Sequence, residues 1–185
     1  MTNWYTADTH FGHESVIGFC DRPFANASQM DVTLIENLHA HVTSDDDLWI
    51  LGDFTFGPKA KEAYYLSEIF GQLPGTRIHL IVGNHDQAAT LALPWDSISH
   101  IAEVRDGPKS QAHTLCHYPM ITWNHAGRQA LQLFDHVHYN WQGSRNSVNV
   151  RVDVWDFRPM QFEDIALRTQ TLPINKHWDE VERNT

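Results

Sequence analysis

Five short groups of Asp, His and Asn in this chain carry side chains suited to divalent metals. Asp8-Thr9-His10 follows an apolar stretch, and the period of two along a strand puts the Asp8 carboxylate and the His10 imidazole on one side, where both could reach one ion. Gly52-Asp53 ends a second apolar stretch, with a small residue for close backbone approach and a carboxylate whose two oxygens could bridge two ions. Gly83-Asn84-His85-Asp86 puts an amide oxygen, an imidazole and a carboxylate in consecutive positions; Asn84 would be a neutral oxygen ligand, and Asp86 is expected to orient His85 by a hydrogen bond. His117 stands alone in Leu115-Cys116-His117-Tyr118-Pro119, and His136-Val137-His138 repeats the alternation. Singly, each has an ordinary reading as a turn-capping Asp or a structural His. Together, each following an expected strand, they argue for one site. Mixed carboxylate, amide and imidazole donors suit Mn, Fe, Zn, Co or Ni better than Ca or all-thiolate zinc chemistry.

Parallel strands with helical crossovers would bring such groups to one edge. The pattern predicts a strand over 4–7, a polar loop over 8–14, and a helix from Ser28, where Ser28-Gln29-Met30-Asp31 resembles a capping box and Met30, Leu34 and Leu38 share a face. A buried strand follows over 48–51, a second helix from Pro58 to about Phe70, and a strand over 78–82. Beyond Pro94, short strands near 98–104, 112–116, 130–134 and 148–154 predict a second sheet, and a helix over 161–169 precedes a polar segment, 174–185, expected to be a flexible tail. The expected fold class is α/β.

The 185 residues suit one domain, and the 42% hydrophobic content supplies a core. A net charge of -10 excludes a basic field for long nucleic acid, whereas 13 His beside 23 acidic residues are raw material for metal binding. Two Cys without CxxC spacing, no signal-like start and no apolar run near the roughly 20 residues of a membrane span predict a cytoplasmic protein with free thiols and no membrane partner. The oligomeric state stays open.

The series DxH, GD, GNHD, a lone His and HxH, from Asp8 to His138, resembles the calcineurin-like metallophosphoesterase family. The stretches Val148-Asn149-Val150-Arg151-Val152-Asp153 and Phe157-Arg158-Pro159 resemble the ending of its small phage and bacterial members. The resemblance implies a four-layer αββα fold, two β-sheets flanked by helices, around two divalent ions, Mn foremost. Asp8, His10, Asp53 and His138 would hold one ion, and Asp53, Asn84, His117 and His136 the other, with Asp53 bridging. His85 would contact phosphate and assist the departing oxygen. The implied reaction is hydrolysis of a phosphate ester, a phosphodiester or small nucleotide, by a hydroxide between the ions. Nucleotide or nucleotide-sugar pyrophosphatase and phosphomonoesterase activities are alternatives on the same centre, and a non-catalytic module on the same fold is another. Arg22 would either contact phosphate or form a structural ion pair; His13 and Asn124 would line the pocket. The chain departs from the family where Asp135 and Tyr139 flank the last His pair in place of Gly, and where Arg151 stands at a position commonly Gly.

Overall fold

The structure is a computed structural model describing residues 1–182. Four parallel strands, β1 (Asn3–Thr6), β2 (Asp47–Ile50), β3 (Arg77–Ile81) and β4 (Ser97–Ser99), lie in sequence order in the first sheet. The second sheet contains β5 (Ile101–Asp106), β6 (Gln111–Cys116), β7 (Gln132–Phe134), β8 (Gly143–Ser144) and β9 (Ser147–Asn149), ordered β5-β6-β7-β9-β8, and β10 (Met160–Gln161) returns antiparallel to β1. In this second sheet β6, β7 and β9 are parallel neighbours.

Alternation along β2 decides what each face covers. Leu48 and Ile50 join Met30, Leu34 and Leu38 of helix α2 (Ala27–His41) and Ile69 and Phe70 of α3 (Ala63–Phe70) in one core. Leu51, with Tyr5 and Ile81, joins Leu115, Leu133, Val148 and Val150 in a second core between the sheets, which also takes in Ile165 of α5 (Phe162–Thr169). The molecule is a mixed α/β sandwich of two five-stranded sheets with helices.

Register brings the loops together. Thr6 pairs with Ile50 and Ile50 with Leu80, so the chain leaves β1, β2 and β3 at one level. Among the described residues, no helix is long and apolar enough to cross a membrane.

Several expectations need correction. The long helix starts earlier than Ser28, because Asn26 is the cap and its side chain accepts from the Gln29 amide at 2.9 Å. Asp31 serves another purpose, accepting from the Gly12 amide (2.9 Å) and the Tyr65 hydroxyl (2.7 Å) and so bracing the first loop. Short helices, α1 (Glu14–Phe19) and α4 (Ala88–Leu91), follow the first and third loops. Residues 58–61 form a 3-10 turn separate from α3. The stretch 98–104 divides between sheets, as β4 and β5. Residues 152–154 form a 3-10 turn where the strand was expected to continue. Within the expected tail, Lys176–Glu182 is a helix, α6, whose Trp178 packs beside Trp123, Ala126 and Ala130; residues 183–185 lie outside the described residues. Cys20 and Cys116 are both free.

Candidate metal centre

The first three loops leave adjacent parallel strands and continue side by side: the Asp8 amide donates to the Gly52 carbonyl (3.1 Å) and the His10 amide to the Asp53 carbonyl (3.0 Å). The loops after β6 and β7 are joined likewise, Asp135 amide to His117 carbonyl, at 2.9 Å. Close approach here requires Gly. A Cβ on Gly52, at φ +90°, would lie 2.5 Å from His117 Nδ1, and one on Gly83 would lie 2.3 Å from Asp53 Oδ1.

The expected ligands converge around Asp53. His117 Nε2 is 3.6 Å and His10 Nε2 4.0 Å from Asp53 Oδ2; His10 Nε2 is 3.6 Å and His138 Nδ1 3.9 Å from Asp8 Oδ2. Asn84 Oδ1 lies 3.1 Å from His117 Nε2 and 2.8 Å from His136 Nδ1. Asp8, His10 and Asp53 offer ligand atoms within 4.8 Å of one another, as do Asp8, His117 and Asp135. Asp8, His10, Asp53, His136 and His138 all have positive φ, between 50° and 70°, a region costly for residues with a Cβ. Strain of that kind, of order 1 kcal/mol or more per residue, collects where geometry serves a site. The unusual backbone thus falls on the His pair itself; neither flanking Asp135 nor Tyr139 has positive φ.

The donor set fits a cation. His117 Nδ1 lies 2.8 Å from the Leu51 carbonyl and must donate to it, which leaves a lone pair on Nε2. That lone pair faces two further acceptors, Asn84 Oδ1 and Asp53 Oδ2, and burial lowers the His117 pKa, keeping a second proton off the ring. Three acceptors directed at one space are what a metal ion satisfies. Charge agrees: burial and the neighbouring Asp8 carboxylate push Asp53 up to about 8. Asp8 and Asp135 are buried side by side, with the Arg151 guanidinium 2.9 Å from Asp8; burial raises both, but Asp135 and His10 hold Asp8 well below its usual value, while burial and the Asp8 charge hold Asp135 well above.

His85 borders the cluster. Its amide donates to Asp53 Oδ1 (2.8 Å), its Nε2 lies 4.0 Å from Asp53 Oδ2, its side chain is 35% exposed, and the Phe56 ring packs on it at 4.1 Å. Burial lowers its pKa, with the nearby His10 adding to the effect. His13 stands at the same rim, its ring 5.2 Å from His10 and 4.7 Å from Phe56, and burial lowers its pKa to about 4.

The roles expected of Asp86 and Asn124 change, and Arg22 takes one of its two expected alternatives. Asp86 does not orient the His85 ring; its carboxylate accepts from the amides of Gly83 (2.8 Å), Asp53 (3.0 Å) and Phe54 (3.0 Å), clamping the second and third loops together. Arg22 is the structural ion pair: its side chain is buried, bonds Asp153 through Nε (2.9 Å) and Nη2 (2.8 Å), and donates to the Asp8 and Thr9 carbonyls, bracing the first loop. Asn124 is exposed and donates to Glu103 at 2.6 Å, so its side chain is engaged away from the cluster. Two residues without an assigned role prove central, Asp135 and Arg151, whose Nη1 lies 2.9 Å from Asp8 Oδ2. Their position as lone charges inside otherwise apolar strand patterns was the available signal.

Fold and site together define a two-sheet α/β protein with a buried Asp/His cluster that could hold metal. No protein-family profile matches the chain. It is 30% identical over 161 residues to the uncharacterized protein MJ1445 of Methanocaldococcus jannaschii, across 86% of each chain, and it belongs to the same family as that protein. The Gene 66 protein of Mycobacterium phage D29 is 28% identical across 86% of this chain and 93% of its own. The crystal structure of a protein of unknown function, AQ665 from Aquifex aeolicus, superposes with a TM-score of 0.70 at 26% identity, covering 90% of this chain and 98% of that one.

Proposed function

We propose that this protein is a metal-dependent phosphoesterase of the calcineurin-like kind, acting on a phosphodiester or small nucleotide-type substrate. The observation that carries the reading is the convergence of Asp8, His10, Asp53, Asn84, His117, His136 and His138 from five strand ends on one space, with His85 at its rim. Asp8, His10, Asp53 and His138 would hold one divalent ion, and Asp53, Asn84, His117 and His136 a second, with Mn foremost and Fe, Zn, Co or Ni alternatives. Such ions, when bound, supply Lewis acidity toward phosphate oxygens and a lowered pKa for water.

The chain's own residues do the rest. The Leu51 carbonyl fixes the ring of His117 through Nδ1, and the Asp86 clamp fixes Asp53. His85, neutral at physiological pH because burial lowers its pKa, can donate a hydrogen bond to an oxygen leaving phosphorus. Phe56 and Tyr118, packed against His85 and His136, give the opening apolar walls against which a base or aryl ester could stack.

The test is turnover by protein loaded with Mn, comparing bis-p-nitrophenyl phosphate, p-nitrophenyl phosphate, cyclic nucleotides and nucleotide sugars. The diester should be hydrolysed, and Asp53→Asn should reduce that by roughly a hundredfold or more. Protein shown to carry two ions per chain that turns over none of these would sink the reading.

A further inference from the structure

Four residues before His117, within β6, His113 forms part of the wall of a cavity of about 630 Å³. A rise of roughly 3.3 Å per residue puts about 13 Å between the two positions, so this space is separate from the metal centre. Its walls are largely apolar: Phe162 and Ala166 of α5, Leu131, Ile174, and Trp178 of α6. Pockets of roughly 300 to 1,000 Å³ accept small organic molecules.

Two features say what kind of molecule. The first is charge: Lys109 and Arg145 edge the cavity together with the carboxylates of Asp106 and Asp179, and a smaller adjoining hollow that shares Lys109 adds Arg105 and Arg128 and no carboxylate. All four side chains are exposed, and among the described residues none forms an ion pair. Four of the 13 Lys and Arg of a chain with net charge -10 thus gather unpaired on one face. The second is hydrogen bonding. Of the lining residues, His113, Asn146 and Trp178 have buried nitrogens without partners, and all three are donors. His113 Nδ1 accepts the Leu131 amide at 3.0 Å, so the ring proton is on the unpartnered Nε2. The Asp106 carboxylate on the same wall is already engaged by the Tyr5 hydroxyl and the Gly107 amide, each at 2.7 Å.

Four cations against two carboxylates across the two hollows, with three unpartnered donors around an aromatic wall, call for a ligand that brings acceptors on an apolar body. We propose that this cavity is a second ligand site, distinct from the metal centre, for a small organic anion: an aromatic or short aliphatic body bearing a carboxylate or phosphate. The body packs on Phe162 and Trp178, and the anionic group lies toward Lys109 and Arg145.

The probe is 8-anilinonaphthalene-1-sulfonate, an aromatic anion, titrated by fluorescence into folded protein stripped of metal with EDTA. One saturable site per chain is expected, with neutral N-phenyl-1-naphthylamine binding more weakly. Reversing the charges in the double variant Lys109→Glu, Arg145→Glu should weaken the sulfonate about tenfold or more, roughly 1.4 kcal/mol. Both residues are exposed, so this variant should keep the wild-type circular dichroism and melting temperature. Ala166→Trp should abolish binding by filling the hollow. Undiminished affinity in the folded double variant, equal affinity for the neutral probe, or many weak sites instead of one would overturn the proposal. None of these outcomes depends on metal or on phosphoesterase activity.

Discussion

Arg151 Nη1 lies 2.9 Å from Asp8 Oδ2, and neither side chain is more than 1% exposed. The same guanidinium reaches Asp153 through Nε and the Cys20 thiol through Nη2 (3.0 Å). Its pKa is driven higher still by Asp8, Asp153 and Asp135, against the opposing effect of burial. Asp135 and Arg151, the two charged departures from the calcineurin-like pattern that the sequence resembles, therefore bear on one candidate ligand: Asp135 adds a buried carboxyl beside Asp8, and Arg151 adds the cation that offsets it.

Removing that cation should be costly. Arg151→Met leaves Asp8 and Asp135 buried without compensation and is expected to lower the stability of metal-free protein by about 3–5 kcal/mol in urea unfolding. Adding Asp135→Asn should recover roughly 0.5–3 kcal/mol of it. A single variant within about 0.5 kcal/mol of wild type would show that the buried charges are offset elsewhere.

Gly83 tests the need for close approach. Its Cβ would meet Asp53 Oδ1 at 2.3 Å and Asp53 N at 2.6 Å, so Gly83→Ala should displace Asp53 and weaken Mn or Zn binding by roughly 10–100-fold in calorimetric titration. Gly18, within α1, meets nothing within 4 Å, and Gly18→Ala should leave metal binding intact and raise stability by about 0.5–1 kcal/mol.

Asp86 and His85, adjacent in sequence, should separate in experiment. Asp86→Ala strips three buried amides of their acceptor and should destabilise by roughly 3 kcal/mol or more, at about 1–3 kcal/mol per unsatisfied group. His85→Gln at the rim should leave the melting temperature nearly unchanged and lower turnover. Equal stability of the two variants would mean that Asp86 is not the clamp.

Metal-free protein should become less stable as pH rises through neutrality. Asp53 is raised to about 8 by burial and by Asp8, and Asp135 is also raised. The folded chain therefore holds protons that the unfolded chain has lost from about pH 4 upward, and stability falls as pH rises through that window. Above about pH 7 the histidines whose pKa burial lowers, among them His85, His113, His117 and His138, are neutral in both states and do not mask the effect. The melting temperature should drop between about pH 7 and 8.5, less steeply in Asp53→Asn and hardly at all with saturating Mn. A flat profile for metal-free wild type would exclude a raised Asp53.

The order of elements and the identity of the cluster were legible in the sequence because both rest on local pattern. Apolar runs of strand length followed by Asp, Gly-Asp and Gly-Asn-His-Asp mark strand ends, and parallel strands place their ends together, so Asp8, Asp53 and Asn84 could be assigned to one edge from spacing alone. Cap and end signals were less decisive: Ser28 and Asn26 are equally good caps in sequence, and packing of Met30 and Leu34 on β2 selects the earlier one. The short pieces β8, β10 and α6 carry too few residues for periodicity and exist through their partners.

The partner of each buried charge was set by the three-dimensional fold. Arg22 and Asp153 are 131 positions apart, Arg151 and Asp8 143, and a buried charge takes whichever opposite charge the fold brings within about 3 Å. Sequence spacing holds no record of that meeting. Residue type and spacing were therefore enough to say which atoms could hold metal, through side-chain chemistry at strand ends. The fold decided that Asp86 and Arg22 brace those atoms from behind, and that Asp135 and Arg151 set the charge around Asp8, because those roles depend on distance through space.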